Sequence, residues 1–117
     1  MNILIKNGRV VDPANGYDGV QDVFIANGKI ESLGIEPAGF TAELTIDASD
    51  QWVMPGFVDL SASLREPGYE HKATIASESK AAVSAGYTAV CCLPDTTPIL
   101  DTPSVAQLIL DKAEEAG

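Results

Sequence analysis

The chain has 117 residues, and its seven basic residues against seventeen acidic ones give a formal net charge of −10. This balance argues against nucleic acid and anionic membranes as partners, because both attract basic surfaces. Hydrophobic residues make up 45% of the chain, enough to bury a core. No apolar run approaches the roughly 18 residues of a membrane span. The first residues do not have the pattern of a signal peptide, so we predict a cytoplasmic protein.

Residues 1–53 are predicted to form a small antiparallel β subdomain, similar to a β-sandwich. Asn7-Gly8 and Asn27-Gly28 lie between β-like runs, which is the strongest short signal for a hairpin because both turn residues tolerate positive φ. Asn15-Gly16 predicts a further turn. Weaker strand candidates follow at Leu44-Thr45-Ile46 and Trp52-Val53-Met54.

Residues 54–117 alternate strand and helix. Phe57–Leu60 reads as a short buried strand, and Tyr87–Leu93 as a parallel strand covered on both faces. A helix is predicted from about Thr74 to Ala85, with Gly86 placed to stop it. Its apolar face is Ile75, Ala82 and Val83.

The last helix is predicted to begin at Thr102-Pro103, which supply an N-cap and a proline at the first helical position. Its apolar stripe consists of Val105, Leu108, Ile109 and Ala113. Two βα units after a β-rich start suit the opening of a (β/α)8 TIM barrel. Eight units close such a barrel, so we expect a truncated barrel, either as a fragment or completed by another piece. Its chemistry would lie after the strands, in the polar loops Asp59–Gly68 and Pro94–Pro98.

The run Pro55–Gly68, which includes Leu64-Arg65-Glu66-Pro67-Gly68, resembles the signature of dihydroorotases in the amidohydrolase superfamily. Val90–Pro98 and the Gly28-Lys29-Ile30 hairpin are similar too, so the resemblance covers essentially the whole chain. It implies the N-terminal portion of a metal-dependent-hydrolase barrel. Such enzymes close carbamoyl aspartate to dihydroorotate in pyrimidine synthesis, and open it again, with zinc as the Lewis acid.

The resemblance also implies that the metal site is lost. The family's first two zinc ligands are a His-x-His pair after the first barrel strand, and the aligned residues here are Ser61 and Ser63. A neutral hydroxyl is a poor zinc ligand beside imidazole. His71, the only histidine, does not match a ligand position, and the remaining family ligands and the catalytic aspartate lie beyond Gly117. We therefore expect no metal, no cofactor and no catalytic residue in this chain.

The resemblance also implies that the residues that bind the substrate carboxylate are only partly retained. Arg65 matches the family's arginine for the substrate carboxylate, and the alternative is a salt bridge with a nearby acid such as Glu66. Asp95 replaces an asparagine that helps to hold the same carboxylate, which it would repel. Thr97 also departs from the usual asparagine, and without a metal Asp59 is expected to make a structural hydrogen bond.

The remaining reactive side chains favour structural roles. Cys91 and Cys92 are neighbours in a predicted strand and would point to opposite faces, so we expect two reduced, largely buried thiols. His71 is expected to be a partly exposed loop residue. Ser61 and Ser63 have no identifiable base beside them that would make a nucleophile.

Three functions stay open. The first is a non-catalytic dihydroorotase-like protein that, as in some bacteria, serves as a structural subunit beside aspartate carbamoyltransferase in an oligomeric assembly. The second is an active cyclic amidohydrolase with an atypical metal site formed by later residues. The third is a stand-alone α/β binding module. The first hypothesis explains why the family's sequence pattern is kept while Ser61, Ser63 and Asp95 replace residues that the chemistry needs.

Overall fold

The computed structural model describes residues 1–117, which separate into two compact units, Met1–Pro55 and Gly56–Gly117. The first unit contains β1 (Ile3–Asp12), β2 (Tyr17–Ala26), β3 (Lys29–Leu33), β4 (Leu44–Asp47) and β5 (Trp52–Val53). The second contains β6 (Phe57–Ala62), α1 (Ile75–Ser84), β7 (Tyr87–Cys92) and α2 (Pro103–Ala116). The chain is therefore a mixed α/β structure with sheets and two helices. Neither helix is long and apolar enough to cross a membrane.

The first unit is one sheet with strand order β3-β2-β1-β4, and β5 pairs with the far half of β1. The β1–β2 and β2–β3 pairs are antiparallel, whereas β4 and β5 both pair with β1 in parallel. The prediction of purely antiparallel structure is therefore wrong for β4 and β5. The buried hydrophobic residues of this unit are Val10, Val23, Phe24 and Ala48. Phe40 packs edge-on against Phe24, with ring centroids 5.2 Å apart.

The two Asn-Gly pairs of this unit have different structures. Asn27-Gly28 forms the predicted hairpin between β2 and β3. Asn7-Gly8 does not, because β1 continues through it with a shift of register between Ile5 and Gly8. Asn7 has a φ of 64°, so the residue that tolerates positive φ serves a bulge rather than a turn. Gly8 is required there because an added Cβ would collide with the Val53 side chain.

The second unit has a parallel β6–β7 pair and two helices. Its core is Leu64, Ile75 and Ile109, with Val90, Cys92, Leu100 and Val105 among the residues packed against it. Thr74 and Thr102 are the N-caps, which confirms both predicted helix starts.

Three predictions of burial in this unit are wrong. On β6, Phe57 is 50% exposed, Val58 56% and Leu60 76%, so this strand is not buried within the chain. Tyr87–Cys92 is likewise only partly covered. Val83, expected on the apolar face of α1, is 71% exposed. The physical reason is that two strands and two helices provide too few neighbours to cover both faces of a parallel sheet.

Candidate functional site

The polar loops predicted to carry chemistry follow β6 and β7. Because these strands are parallel, both loops leave the same edge of the sheet. The backbone N–H of Leu93 donates to the carbonyl of Ala62 at 3.0 Å, so the loops begin side by side. The residues of these two loops, which are far apart in the sequence, therefore lie close together in the structure.

Three residues singled out from the sequence meet on these loops. The Ser63 hydroxyl donates a hydrogen bond to Asp95 Oδ2 at 2.6 Å, and Arg65 Nη1 lies 3.8 Å from the same oxygen. We call Ser63, Arg65 and Asp95 the loop cluster. The side chains of Arg65 and Asp95 are 43% and 37% exposed, so solvent screens their attraction.

Glu66, the expected alternative partner of Arg65, has a different role. Its Oε2 accepts a hydrogen bond from the backbone N–H of Ile75 at 2.9 Å. A carboxylate at this position satisfies one of the unpaired N–H groups of the first turn of α1 and interacts favourably with the helix dipole. The acid that lies beside Arg65 is Asp95, from the neighbouring loop.

The loops are connected by contacts that do not involve the loop cluster. The backbone N–H of Thr97 donates to the carbonyl of Pro67 at 2.9 Å, and the Thr97 hydroxyl donates to the Tyr69 hydroxyl at 3.3 Å. Gly68 has a φ of +102° and lies so close to the Thr97 backbone that an added Cβ would collide with it. Thr97, predicted only as a departure from asparagine, therefore holds one loop against the other.

Asp59 and Ser61 make a local contact within the last residues of β6. The backbone N–H of Ser61 donates to Asp59 Oδ1 at 2.8 Å, which is the structural hydrogen bond expected of Asp59. Both residues line a cavity of about 340 Å³, together with Ser63, Glu78 and Tyr87. The cavity thus offers hydroxyl and carboxylate oxygens but no imidazole or thiolate.

The donor set does not fit zinc. No group of three or more His, Cys, Asp and Glu side chains in residues 1–117 is arranged to hold a metal ion. The Ser63 hydroxyl already donates to Asp95, and Asp59 already accepts from Ser61. His71 is an exposed loop residue, with its ring 6.4 Å from that of Tyr69. A zinc-dependent step cannot be derived from these residues.

The two cysteines differ from expectation and from each other. Both are free thiols, but Cys91 is exposed and Cys92 is half-buried, so the prediction of two largely buried thiols is wrong for Cys91. Burial raises the pKa of the Cys92 thiol, and the negative charge of Asp95 adds to this rise against an opposing backbone hydrogen bond at Leu64. Cys92 packs against the core of its unit, which is a structural role.

Sequence reasoning missed the hydrogen bond between Ser63 and Asp95. The available signal was topological, since both residues follow the ends of two predicted parallel strands. Their direct contact still depends on the conformation of both loops, which residue types alone do not determine.

Solved structures that share this fold include two hydantoinases. The L-hydantoinase (dihydropyrimidinase) from Arthrobacter aurescens matches 95% of this chain and 24% of its own, with a TM-score of 0.81 and 24% identity. A D-hydantoinase matches 80% of this chain and 20% of its own, with a TM-score of 0.67 and 31% identity. The fold is therefore of the amidohydrolase class.

The sequence comparisons are more specific. The profile described as "Dihydro-orotase-like" matches residues 50–115, and the chain belongs to this dihydroorotase-like family. A "Dihydroorotase-like protein" of Pseudomonas aeruginosa is 52% identical over the whole chain, which covers 28% of that relative. A "Dihydroorotase" of Trichlorobacter lovleyi is 44% identical over the whole chain, again 28% of the relative. The chain thus spans less than a third of the length of these relatives.

Proposed function

We propose that this chain is the N-terminal part of a dihydroorotase-like protein that has lost catalysis and acts as a structural partner of aspartate carbamoyltransferase. One observation carries the proposal. At the position of the second expected metal ligand, the Ser63 hydroxyl donates to Asp95, so a residue aligned with a zinc ligand now serves an internal hydrogen bond. Ser61 and Ser63 replace the expected metal ligands, and Asp95 replaces a residue expected to bind the substrate. These replacements together favour a protein that keeps the fold but not the reaction.

The names of the relatives support the family assignment and fall into two groups. The relatives from Pseudomonas aeruginosa and Pseudomonas putida, both 52% identical, have the name "Dihydroorotase-like protein", whereas several relatives near 45% identity are named "Dihydroorotase". Pyrimidine synthesis is the pathway that these names suggest. An active cyclic amidohydrolase with an atypical metal site, built from residues after Gly117, is the alternative that the second group of names favours.

The proposed architecture is a TIM barrel beginning at residue 54, preceded by the β subdomain of residues 1–53. The β6-α1-β7-α2 order with a parallel sheet supports this, because it matches two of the eight βα units of such a barrel. The exposed apolar side chains of β6 are then covered by the remaining barrel units of the longer protein. The proposed assembly is oligomeric, and it involves neither nucleic acid nor a membrane.

Co-purification tests the structural role. The intact protein is expressed with an affinity tag together with the aspartate carbamoyltransferase of the same organism, and the eluate is analysed by size-exclusion chromatography with light scattering. A stoichiometric complex is expected. Two separate peaks at micromolar concentration would contradict the partnership.

Metal analysis separates the proposal from the active alternative. The intact protein is purified without chelators, supplemented with zinc, desalted and analysed by inductively coupled plasma mass spectrometry. Substoichiometric zinc is expected. One tightly bound zinc per chain would favour the active alternative, whatever the outcome of co-purification.

A further inference from the structure

The first unit contains three Asn-Gly pairs, which begin at Asn7, Asn15 and Asn27. We propose that Asn27-Gly28 is a site of spontaneous covalent modification, at which the Asn27 side chain deamidates through a cyclic imide and the product loosens β3. The reaction involves neither the two polar loops nor a metal nor a partner protein. It is therefore independent of the proposed function.

The chemistry requires only the chain and water. The backbone nitrogen of Gly28 gives up its proton and bonds to Cγ of Asn27, the Cγ–Nδ2 bond breaks, and the side-chain nitrogen leaves with that proton as ammonia. Water then opens the cyclic imide. Opening at Cγ gives aspartate, whereas opening at the backbone carbonyl gives isoaspartate, whose main chain runs through Cβ and Cγ. Glycine favours the attack because it has no Cβ to hinder the approach.

Both reacting groups of Asn27-Gly28 are free. The two residues form the exposed turn between β2 and β3. Of the four asparagine side chains, those of Asn2, Asn7 and Asn15 donate hydrogen bonds within the chain, whereas that of Asn27 donates none. A Cβ added at Gly28 would meet no atom within 4 Å, so the Asn27 side chain has room to rotate toward the Gly28 nitrogen.

Asn15-Gly16 is equally exposed, but its reacting groups are engaged. Asn15 Nδ2 donates to Asp12 Oδ2 at 2.6 Å, and the Gly16 N–H donates to the carbonyl of Pro13 at 3.3 Å. Attack would break both hydrogen bonds. The nearby Asp12 carboxylate also opposes the negative charge that the Gly16 nitrogen carries when it loses its proton. This pair should therefore react more slowly than Asn27-Gly28.

Asn7-Gly8 is protected in a different way, because it lies within β1. Asn7 Nδ2 donates to Asp47 Oδ1 at 3.2 Å. Gly8 is buried and packs so closely against Val53 that no Cβ would fit there. The side chain is thus held away from a nitrogen that has little room around it, and this pair should also be slow.

Isoaspartate at position 27 should disturb β3 in particular. The turn joins Ala26 to Lys29, which are paired across β2 and β3, and a two-residue turn fixes the register of such a hairpin. Isoaspartate lengthens the main chain of the turn by one carbon atom. Since β3 lies at the edge of the sheet and pairs only with β2, no second strand holds it in place.

Ageing of the intact protein tests the proposal. The unchanged protein is incubated in mildly alkaline buffer, sampled over time and digested at acidic pH, and electron-transfer fragmentation of the peptides assigns aspartate and isoaspartate to each position. We expect Asn27 to convert at least about fivefold faster than Asn7 or Asn15, the factor that one hydrogen bond of ordinary net strength contributes. Asn2, which precedes the β-branched Ile3, gives the background rate.

Two variants test the reason for the difference. Asp12→Ala frees the Asn15 side chain and should speed conversion at Asn15 by about fivefold while leaving Asn27 unchanged. Asp47→Ala is the matched variant, which frees the Asn7 side chain but leaves Gly8 packed, so its effect should be smaller. Circular dichroism checks that both variants keep the fold.

Hydrogen exchange tests the structural consequence. The isoaspartate form, which carries an extra negative charge, is separated from the fresh protein by ion exchange, and the two are compared by deuterium uptake and mass spectrometry. Faster exchange is expected in Lys29–Leu33, with little change in the first residues of β1, which pair with β4 as well as β2.

Conversion of Asn7 or Asn15 as fast as that of Asn27 would overturn the proposal, and so would conversion of Asn27 no faster than that of Asn2. Equal exchange of β3 in the two forms would overturn its structural part. None of these measurements uses turnover, zinc content or co-purification, so failure here is distinguishable from failure of the proposed function.

Discussion

Arg65 combines an unusual backbone conformation with a side chain that packing does not bury. Its φ of +67° costs an L-residue with a bulky side chain on the order of 1 kcal/mol. Its carbonyl accepts a hydrogen bond from the Tyr69 N–H at 2.8 Å, which closes the turn that begins at this residue. The turn, rather than side-chain burial, therefore sets the conformation of Arg65.

Substitution at Arg65 should follow backbone preference. Asn tolerates the left-handed region and Val does not, so we expect Arg65→Val to be less stable than Arg65→Asn by about 1–2 kcal/mol. Urea unfolding of the two variants measures the difference. Equal free energies of unfolding would mean that the loop relaxes and that the positive φ is no constraint.

At the residue scale, the proposed loss of the metal ligands was inferred from residue types, whereas the contact that Ser63 makes in this structure could not be. Two serines at a His-x-His position can be read directly, because ligand chemistry depends on residue type. The hydrogen bond from Ser63 to Asp95 joins residues 32 positions apart. It depends on the path of two loops, which residue types alone do not determine.

The N-termini of the two helices show how local sequence determines an element. The Thr74 hydroxyl accepts from the Ser77 N–H at 3.2 Å, and the Ser77 hydroxyl accepts from the Thr74 N–H at 2.9 Å. This reciprocal arrangement is a capping box with serine in the place usually taken by glutamate or glutamine. The Thr102 hydroxyl accepts from the Val105 N–H over a longer distance, 3.4 Å, and also contacts the Ser104 hydroxyl at 3.3 Å.

Removing each cap should therefore have unequal effects. We expect Thr74→Ala to lower the free energy of unfolding by about 1 kcal/mol, since the Ser77 N–H loses its side-chain acceptor. Thr102→Ala is the matched variant and should cost less, because its bond is longer. Denaturant unfolding compares the two, and a larger loss for Thr102→Ala would contradict the capping geometry.

Burial along α1 gives a second element-scale prediction. Ile75 is 1% exposed and Val83 is 71% exposed on the same helix. We expect Ile75→Ala to cost about 2–5 kcal/mol through lost burial and a cavity, and Val83→Ala less than about 0.5 kcal/mol. Thermal unfolding followed by circular dichroism distinguishes them. Similar losses would indicate that Val83 is covered in the intact protein.

Element prediction from sequence worked where the signal was local. Helix caps and the Asn27-Gly28 hairpin depend on neighbouring residues, and both formed as predicted. Asn7-Gly8 has the same two residues, yet it lies within β1, where β4 and β5 pair in parallel on the same edge. Those pairings join residues far apart in the sequence, so the Asn-Gly pair alone could not show whether a bulge or a turn forms there.

At the scale of the whole molecule, exposed apolar strand residues are the main departure from expectation. Phe57, Val58 and Leu60 have the composition of a buried strand, but the chain has no layer that covers them. The chain spans 28% of a dihydroorotase-like relative, and under the proposed function the remaining barrel units would cover these residues. Sequence patterns predict the environment of a strand in the complete fold.

Turnover of dihydroorotate by the intact protein is the measurement that bears most directly on the proposed loss of catalysis. The protein is assayed in both directions with added zinc, beside the relative from Trichlorobacter lovleyi that is named "Dihydroorotase". With serines at the two ligand positions, we predict no turnover above the uncatalysed rate in either direction. Zinc-dependent turnover that is lost on chelation would contradict the proposal.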